Sequence, residues 1–241
     1  MHSAASNLLA GVAGPGSFRR FPATWGWVGL IVGIQTLVAC AGGANQLAEL
    51  FVNLGLSRNG FLSGRIWQVL SYGLLHGSWW HAGLNALLVL VIGSRIESIL
   101  GSVEMARATL AGVLGGGACH LLLGSGLVVG LSGGCVALLL MLTTLSPQSR
   151  MWPLPVSGKS LGLGIMSAEL LLAMIDPALG LPALSAVGKL LTAYGMGGWF
   201  QVGHACHFGG GLAGWLYARW WLRPRISLAQ LRRTRAKREA M

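Results

Sequence analysis

The sequence predicts an all-α integral membrane protein with six transmembrane helices. Its 241 residues are 54% hydrophobic and only 10% charged, whereas soluble domains usually carry about 25% charged residues. The mean hydropathy is +0.65. This composition excludes an ordinary water-soluble enzyme, and it excludes disorder because disordered chains are poor in apolar residues. The 38 glycines follow no Gly-X-Y period, which excludes collagen.

Six apolar segments are candidates to cross the bilayer, since a spanning helix needs about 20 mostly apolar residues. The fourth and fifth are short. Together the six define a membrane domain over residues 25–222, with an N-terminal segment of residues 1–24 and a basic tail of residues 223–241. The predicted spans are Trp25–Gly43, Ser78–Leu100, Val103–Leu123, Leu131–Leu145, Leu161–Ile175 and Gly198–Leu222.

The basic residues predict the orientation of these spans. A net charge of +11 would suggest nucleic acid in a soluble protein. Here Lys and Arg lie mostly in short stretches between apolar runs and in the tail, so we expect topology to explain them and no nucleic-acid partner. Positive-inside bias places both termini in the cytoplasm, in what we expect to be a bacterial inner membrane. The tail is a topology signal, with contact to anionic lipid as a second interpretation.

The first apolar run also resembles a signal peptide, because Leu37-Val-Ala-Cys40 is similar to a lipoprotein cleavage box. Cleavage there would leave an odd number of spans, so we expect the run to remain as the first span. Segment 44–77 would then lie outside, partly in the membrane interface, with Trp67 as an anchor. All four cysteines fall in apolar segments, where they predict small apolar packing groups rather than a disulfide framework.

Three stretches place polar side chains inside predicted spans, where such groups are costly and indicate function. Spans two, four and six run from outside to inside, and the polar residues lie in the first third of each. We therefore expect these residues at similar depth, near the outer face. They are His81 and Asn85 in span two, Ser132 in span four and His207 in span six. His76 lies just before span two, Gly130 just before span four, and His204, Gly210 and Gly214 flank His207 in span six.

This set of groups fits nucleophilic catalysis. The Ser132 hydroxyl is a weak nucleophile until a base takes its proton, and His207 or His204 is a suitable base. We favour His207, because two glycines follow it at helical spacing and let that face approach a neighbour. The Asn85 amide, an imidazole N–H of His81 and the Ser132 backbone N–H are suitable donors to an oxyanion. These three spans hold no Asp or Glu at that depth, which predicts a dyad rather than a triad.

Each polar residue taken alone also fits a hydrogen bond between helices. We assign that role to His120 in span three and to His204. Glu169 in span five is expected to be protonated or hydrogen-bonded within the bundle, with gating as a less favoured role.

The histidine spacing does not predict a metal site. His76 and His81 are five residues apart, so no HExxH helix exists. His204, Cys206 and His207 offer ligand atoms but have no carboxylate close to them in sequence. We expect neither a metal nor another cofactor.

These motifs resemble the rhomboid family of intramembrane serine proteases, whose HxxxxHxxxN, GxSG and HxxGxxxG patterns occur here in order. The resemblance covers roughly residues 25–222 and implies a six-helix rhomboid-like bundle. It implies Ser132 as nucleophile, His207 as base, His81 and Asn85 as oxyanion donors, and His76 as a supporting hydrogen-bonder. Segment 44–77 would be the membrane-embedded first loop and Asp176–Gly197 a mobile cap. The matched residues are His76, His81, Asn85, Glu97, Gly130, Ser132, Gly133, His207, Gly210 and Gly214.

The chain departs from the family pattern at two positions. The family often has Trp-Arg in the first loop, and here Gln68 follows Trp67, so we expect one loop anchor to be missing. An aromatic that packs on the catalytic histidine usually follows the serine by four residues, where this chain has Val136. Weaker orientation of His207 is the expected consequence.

The function expected from these residues is hydrolysis of peptide bonds in or beside transmembrane helices. Transmembrane protein substrates and the lipid bilayer would be the partners, and the oligomeric state is left open. An inactive rhomboid-like protein that binds membrane helices is the alternative, supported by the two departures. A small transporter or channel is a third hypothesis, but these usually place polar groups near the bilayer midplane.

Overall fold

The computed structural model describes residues 16–151, 155–223, 235–236 and 238–239. Residues 1–15 and most of the predicted basic tail lie outside the described residues. The described part is helical, without strands, and contains two isolated β-bridges. The all-α prediction is therefore confirmed. Its six longest helices are α1 Pro22–Cys40, α2 Trp79–Leu100, α3 Ser102–Leu123, α4 Ser132–Leu145, α5 Gly158–Met174 and α6 His204–Trp221.

These helices follow the six predicted spans in order. Three of them, α1 to α3, are long and apolar enough to cross a membrane, and α4 is a shorter apolar helix of 14 residues. The count of six crossings remains a prediction. Helix α1 begins three residues before the predicted start, with Pro22 at a position where a missing N–H costs nothing. Helix α6 begins at His204 rather than Gly198, because Gly197–Gln201 forms a separate 3-10 helix.

Short elements fill the two longest connections. Between α1 and α2 the first loop holds Gly43–Gln46, Ala48–Leu54, Arg58–Leu62, Gln68–Ser71 and the 3-10 turn Tyr72–Leu74. Between α5 and α6 lie Pro177–Leu179, the helix Leu184–Leu191 and the π-helical turn Thr192–Met196.

Helices α3, α4 and α6 pack through glycines. A Cβ added to Gly112 of α3 would lie 2.8 Å from the Gly133 carbonyl oxygen of α4. A Cβ on Gly210 or Gly214 of α6 would collide with backbone of α4. Small residues let membrane helices approach this closely. The predicted close approach of the Gly210 and Gly214 face to a neighbouring helix is thus observed, and the neighbour is α4.

A buried glutamate joins the start of α1, the end of α2 and the start of α3. Both carboxylate oxygens of Glu97 in α2 accept hydrogen bonds at the start of α1, from the backbone N–H groups of Ala23 (2.9 Å) and Thr24 (2.8 Å). They also accept from the hydroxyls of Thr24 and Ser102, both at 2.6 Å. Because the first N–H groups of a helix have no partner within it, this carboxylate satisfies the start of α1.

The first loop is anchored by the residue that departs from the family pattern. Gln68 is fully buried, and its Nε2 donates to the Val52 carbonyl at 2.9 Å and the Asn53 carbonyl at 3.3 Å. The neighbouring Trp67 indole donates to the Asn53 carbonyl at 2.9 Å. The expectation of a missing loop anchor is therefore wrong, because the Gln68 amide donates to two backbone carbonyls of the first loop.

The four cysteines are free, as predicted. Cys135 and Cys206 are buried in the core, Cys119 is partly buried, and Cys40 is exposed.

Candidate active site

Ser132 is the first residue of α4, and backbone hydrogen bonds hold the segment that leads to it. Leu56 of the first loop and Val128 exchange two such bonds, at 3.0 and 2.9 Å. The Gly130 N–H donates to the Tyr72 carbonyl at 2.9 Å. The first loop thus fixes where the serine enters the bundle. At the start of α4 the Ser132 N–H has no acceptor within the helix.

One cavity of about 480 Å³ brings the predicted site residues together. Its lining comes from α2, α4 and α6, from the ends of α3 and α5, from the segments 124–129 and 200–203, and from Asp176. His76 and Gly130 are not part of this lining, but five of the candidate residues from the sequence are: His81, Asn85, Ser132, His204 and His207. Ser132 lies 51 residues after His81 along the chain, and His207 lies 75 residues after Ser132. The fold nevertheless brings all three to the same cavity.

Asn85 presents an unpaired amide in this cavity. The residue is 2% exposed, and within the described residues its Nδ2 has no hydrogen-bond partner. Its Oδ1 lies 3.6 Å from Sγ of Cys135, a weak donor. Buried amide nitrogens are nearly always paired, so an unpaired one beside Ser132 is a group suited to bind a substrate oxygen.

His81 lies against the backbone of Gly130. A Cβ at Gly130 would come within 2.6 Å of both Cε1 and Nε2 of the imidazole. Gly130 also has φ of +120°, a conformation that side chains other than hydrogen rarely allow. The positive φ and the close imidazole are therefore two independent reasons for glycine at this position. The sequence predicts Gly130 as a supporting residue of the site.

His76 contacts the segment that leads to Ser132. It is fully buried, its Nε2 accepts from the Leu131 N–H at 3.4 Å, and its ring packs edge-on against His81 with centroids 5.0 Å apart. Burial, and to a smaller degree the neighbouring His81, lowers the pKa of His76 to about 4. The imidazole is therefore neutral at pH 7, with a lone pair available to accept the Leu131 N–H.

His207 has a carboxylate partner, so the expectation that no carboxylate orients the base is wrong. Its Nδ1 lies 3.1 Å from Oε1 of Glu169. The other carboxylate oxygen, Oε2, lies 2.7 Å from Nδ1 of His204, and Nε2 of His204 lies 2.8 Å from the Trp199 carbonyl oxygen. The prediction that Glu169 and His204 are hydrogen-bonded between helices is confirmed.

Sequence reasoning missed this contact because it considered only spans two, four and six. Glu169 comes from α5, 38 residues before His207. The available signal was the cost of an acid in a membrane span, which by itself indicates function. It could not show which helix face the acid occupies.

One further expectation, for His120, changes with the structure. His120 was expected to bond across helices, but its Nε2 lies 3.4 Å from the Gly126 carbonyl in the loop after its own helix. Val136 packs against Gly211, one turn after His207 on α6. The contact from Glu169 supplies an orientation of His207 that the sequence did not predict.

The same three side chains could also hold a metal ion. One ligand atom each from Glu169, His204 and His207 lies within 4.8 Å of the others. The expectation that these histidines have no carboxylate close to them is wrong, because Glu169 contacts both. In the structure these atoms are occupied with hydrogen bonds to one another.

The fold and the cavity describe a helical membrane protein in which a serine, an asparagine and histidines line one cavity. A family model described as Rhomboid domain matches residues 63–224. This match covers about two thirds of the chain, and the chain belongs to the rhomboid family. In the comparison with curated proteins, no match was found.

Proposed function

We propose that the protein is an intramembrane serine endopeptidase that cleaves membrane proteins in or next to their transmembrane helices. The observation that carries the proposal is that Ser132 of α4 and His207 of α6 line one cavity, together with the unpaired amide of Asn85. Membership of the rhomboid family, whose members are intramembrane protease-like, supports it.

The reaction would follow the serine-protease sequence. Nε2 of His207 takes the Ser132 hydroxyl proton while Oγ attacks the scissile carbonyl carbon, forming a tetrahedral intermediate. His207 then gives that proton to the leaving amine as the C–N bond breaks. Water, activated by His207 in the same way, hydrolyses the acyl-enzyme and restores Ser132.

The oxyanion would be held by three donors. Nδ2 of Asn85 and an imidazole N–H of His81 supply two, and the Ser132 backbone N–H at the start of α4 supplies the third. Preorganised donors of this kind act where charge develops in the transition state, and each is typically worth about 10²–10³ in turnover.

The substrate must present an extended segment to the cavity. A helix keeps its carbonyls in its own hydrogen bonds, so a transmembrane substrate has to unwind locally before attack. Residues that weaken a helix, such as glycine, would ease this step. Transmembrane proteins with small or helix-breaking residues near the outer membrane face are therefore the expected substrates.

Labelling with a fluorophosphonate tests the proposal without a known substrate. The wild-type protein in detergent should be labelled, and Ser132→Ala and His207→Ala should each abolish the labelling. Ser98→Ala is the matched control, since Ser98 is an exposed helical serine outside the cavity. Labelling that persists in Ser132→Ala would refute the assignment.

An inactive helix-binding protein is the second candidate. It was supported by departures at positions 68 and 136, and the first no longer counts, because Gln68 anchors the loop through its amide. The remaining support is the small side chain of Val136. An unreactive Ser132 in folded wild-type protein would favour this candidate.

A further inference from the structure

Glu169 makes a contact that the two-residue mechanism does not use. It comes from α5, and its Oε1 lies 3.1 Å from Nδ1 of His207 on α6. Both side chains are largely buried, with 18% and 15% of their side-chain surface exposed. A charged or strongly polar group is costly at such a place unless it is paired or functional.

A serine-activating histidine requires a particular arrangement of protons. Its Nε2 must offer a lone pair to the hydroxyl, so in the neutral ring Nδ1 must carry the proton. An acceptor oxygen beside Nδ1 fixes this tautomer and stabilises the imidazolium that forms during attack. Oε1 of Glu169 stands where that acceptor is needed.

His204 determines that Oε1 is an acceptor. Its Nε2 faces the Trp199 carbonyl at 2.8 Å and must donate to it, because a carbonyl only accepts. Its Nδ1 faces Oε2 of Glu169 at 2.7 Å, so one proton lies between that nitrogen and that oxygen. Whether His204 or the carboxyl group carries the proton, Oε1 is left free to accept from His207.

We propose that Glu169 is a positioning residue that holds His207 in its reactive tautomer, and that His204 keeps the Glu169 carboxyl group in the required orientation. This inference rests on the proposed protease function. It replaces the dyad with a Ser132–His207–Glu169 triad in which the third member comes from α5. The competing explanation is that Glu169 only holds α5 and α6 together through hydrogen bonds. That structural role does not require a particular His207 tautomer.

Variants of Glu169 separate these explanations. Glu169→Leu removes the acceptor, and we expect fluorophosphonate labelling of Ser132 to slow by about 100-fold, within the range of general-base catalysis. Glu169→Gln keeps an oxygen for His207, because its amide N–H can donate to Nδ1 of neutral His204. It should therefore retain much of the wild-type rate and lose only the part that comes from negative charge.

The matched control is another acid that reaches α6 from a neighbouring helix. Glu104 of α3 accepts from the Tyr217 hydroxyl of α6 at 2.5 Å, away from the cavity. Glu104→Leu also removes a hydrogen bond between helices. Because Glu104 does not line the cavity, the labelling rate should stay close to the wild-type value. Equal slowing in Glu104→Leu and Glu169→Leu would overturn the proposal in favour of a purely structural role of Glu169.

Nitrogen-15 NMR of the histidine rings measures the His207 tautomer. A purely structural role of Glu169 would leave that tautomer unchanged. The His207 signals, assigned by their absence in His207→Ala, should show a protonated Nδ1 in wild type and in Glu169→Gln, and a mixture of tautomers in Glu169→Leu. An unchanged His207 tautomer in folded Glu169→Leu would overturn the proposal. If Glu169→Leu fails to fold, a wild-type His207 with its proton on Nε2 would overturn it equally.

Two controls complete the test. A chelator should leave the wild-type labelling rate unchanged, and loss of labelling on chelation would overturn the proposal by making the cluster a required metal site. If wild-type Ser132 is not labelled at all, the proposed protease function fails, while the NMR measurement still decides whether Glu169 sets the His207 tautomer.

Discussion

Replacing Gly130 with alanine tests the geometry of the proposed oxyanion donors directly. The residue has φ of +120°, in a region where a Cβ strains the backbone. In addition, the new Cβ would lie 2.6 Å from Cε1 and Nε2 of His81. The substitution adds a single carbon and changes no charge, so its effects come from shape alone.

The structure sets the size of both effects. Backbone strain of this kind costs about 1–3 kcal/mol of folding free energy. The imidazole must also move by about 0.8 Å, the difference between 2.6 Å and an ordinary contact of 3.4 Å. Such a shift removes His81 as a well-placed donor, and loss of one oxyanion donor typically lowers turnover by about 10²–10³.

The assay pairs thermal unfolding in detergent with the rate of fluorophosphonate labelling at Ser132. Gly126→Ala is the control, because Gly126 also has positive φ (+68°) but a Cβ there meets nothing within 4 Å. Gly126→Ala should lose stability and keep its labelling rate, whereas Gly130→Ala should lose both. A Gly130→Ala protein that is labelled at the wild-type rate would refute the role given to His81.

Three other perturbations have expected outcomes. Glu97→Leu should lower the free energy of unfolding by about 3 kcal/mol or more, measured by thermal or denaturant unfolding, because four hydrogen bonds to a carboxylate are lost. Asn85→Ala should slow labelling by about 100-fold with a change in stability below about 1 kcal/mol, since its amide N–H group has no partner within the described residues. Acidification should destabilise the fold through His76, whose pKa falls from 6.5 to about 4 on folding. Because the unfolded chain binds more protons between these values, about 2 kcal/mol of the free energy of unfolding is lost between pH 7 and pH 5. The His76→Gln variant should lose less stability over the same interval.

Each expectation has a result that contradicts it. Glu49→Gln, at an exposed position in the first loop, is the control for Glu97, and equal stability of the two variants would argue against the anchor. Loss of folding in Asn85→Ala would show that the amide is structural. A stability profile over pH 5–7 that is identical with and without His76 would exclude it as the titrating group.

The spans and the main polar groups could be predicted because their signals are local. Twenty apolar residues, or two histidines and an asparagine at fixed spacing, are visible in one stretch of chain. Where the boundary depends on backbone geometry, the prediction was less accurate. The predicted start of α6 at Gly198 lies six residues before the observed start at His204, because Gly197–Gln201 forms a separate 3-10 helix.

The contact of Gln68 with the first loop shows a second limit. Gln68 differs from the residue that the family pattern leads one to expect, and the difference was interpreted as a lost anchor. In the structure its amide reaches the carbonyls of Val52 and Asn53. Whether a different side chain still finds a partner depends on its distance from backbone 15 residues away in the chain. A sequence pattern does not give that distance.

The sequence by itself determined that this chain is a helical membrane protein of the rhomboid type, and it identified a hydroxyl, imidazoles and an amide suited to one reaction, because apolar length and motif spacing are properties of single segments. Only the tertiary structure decided that Glu169 meets His207 and His204. That contact depends on how α5 is rotated against α6, and the rotation of packed helices is set by the fit of side chains along their whole length rather than by any local run of residues.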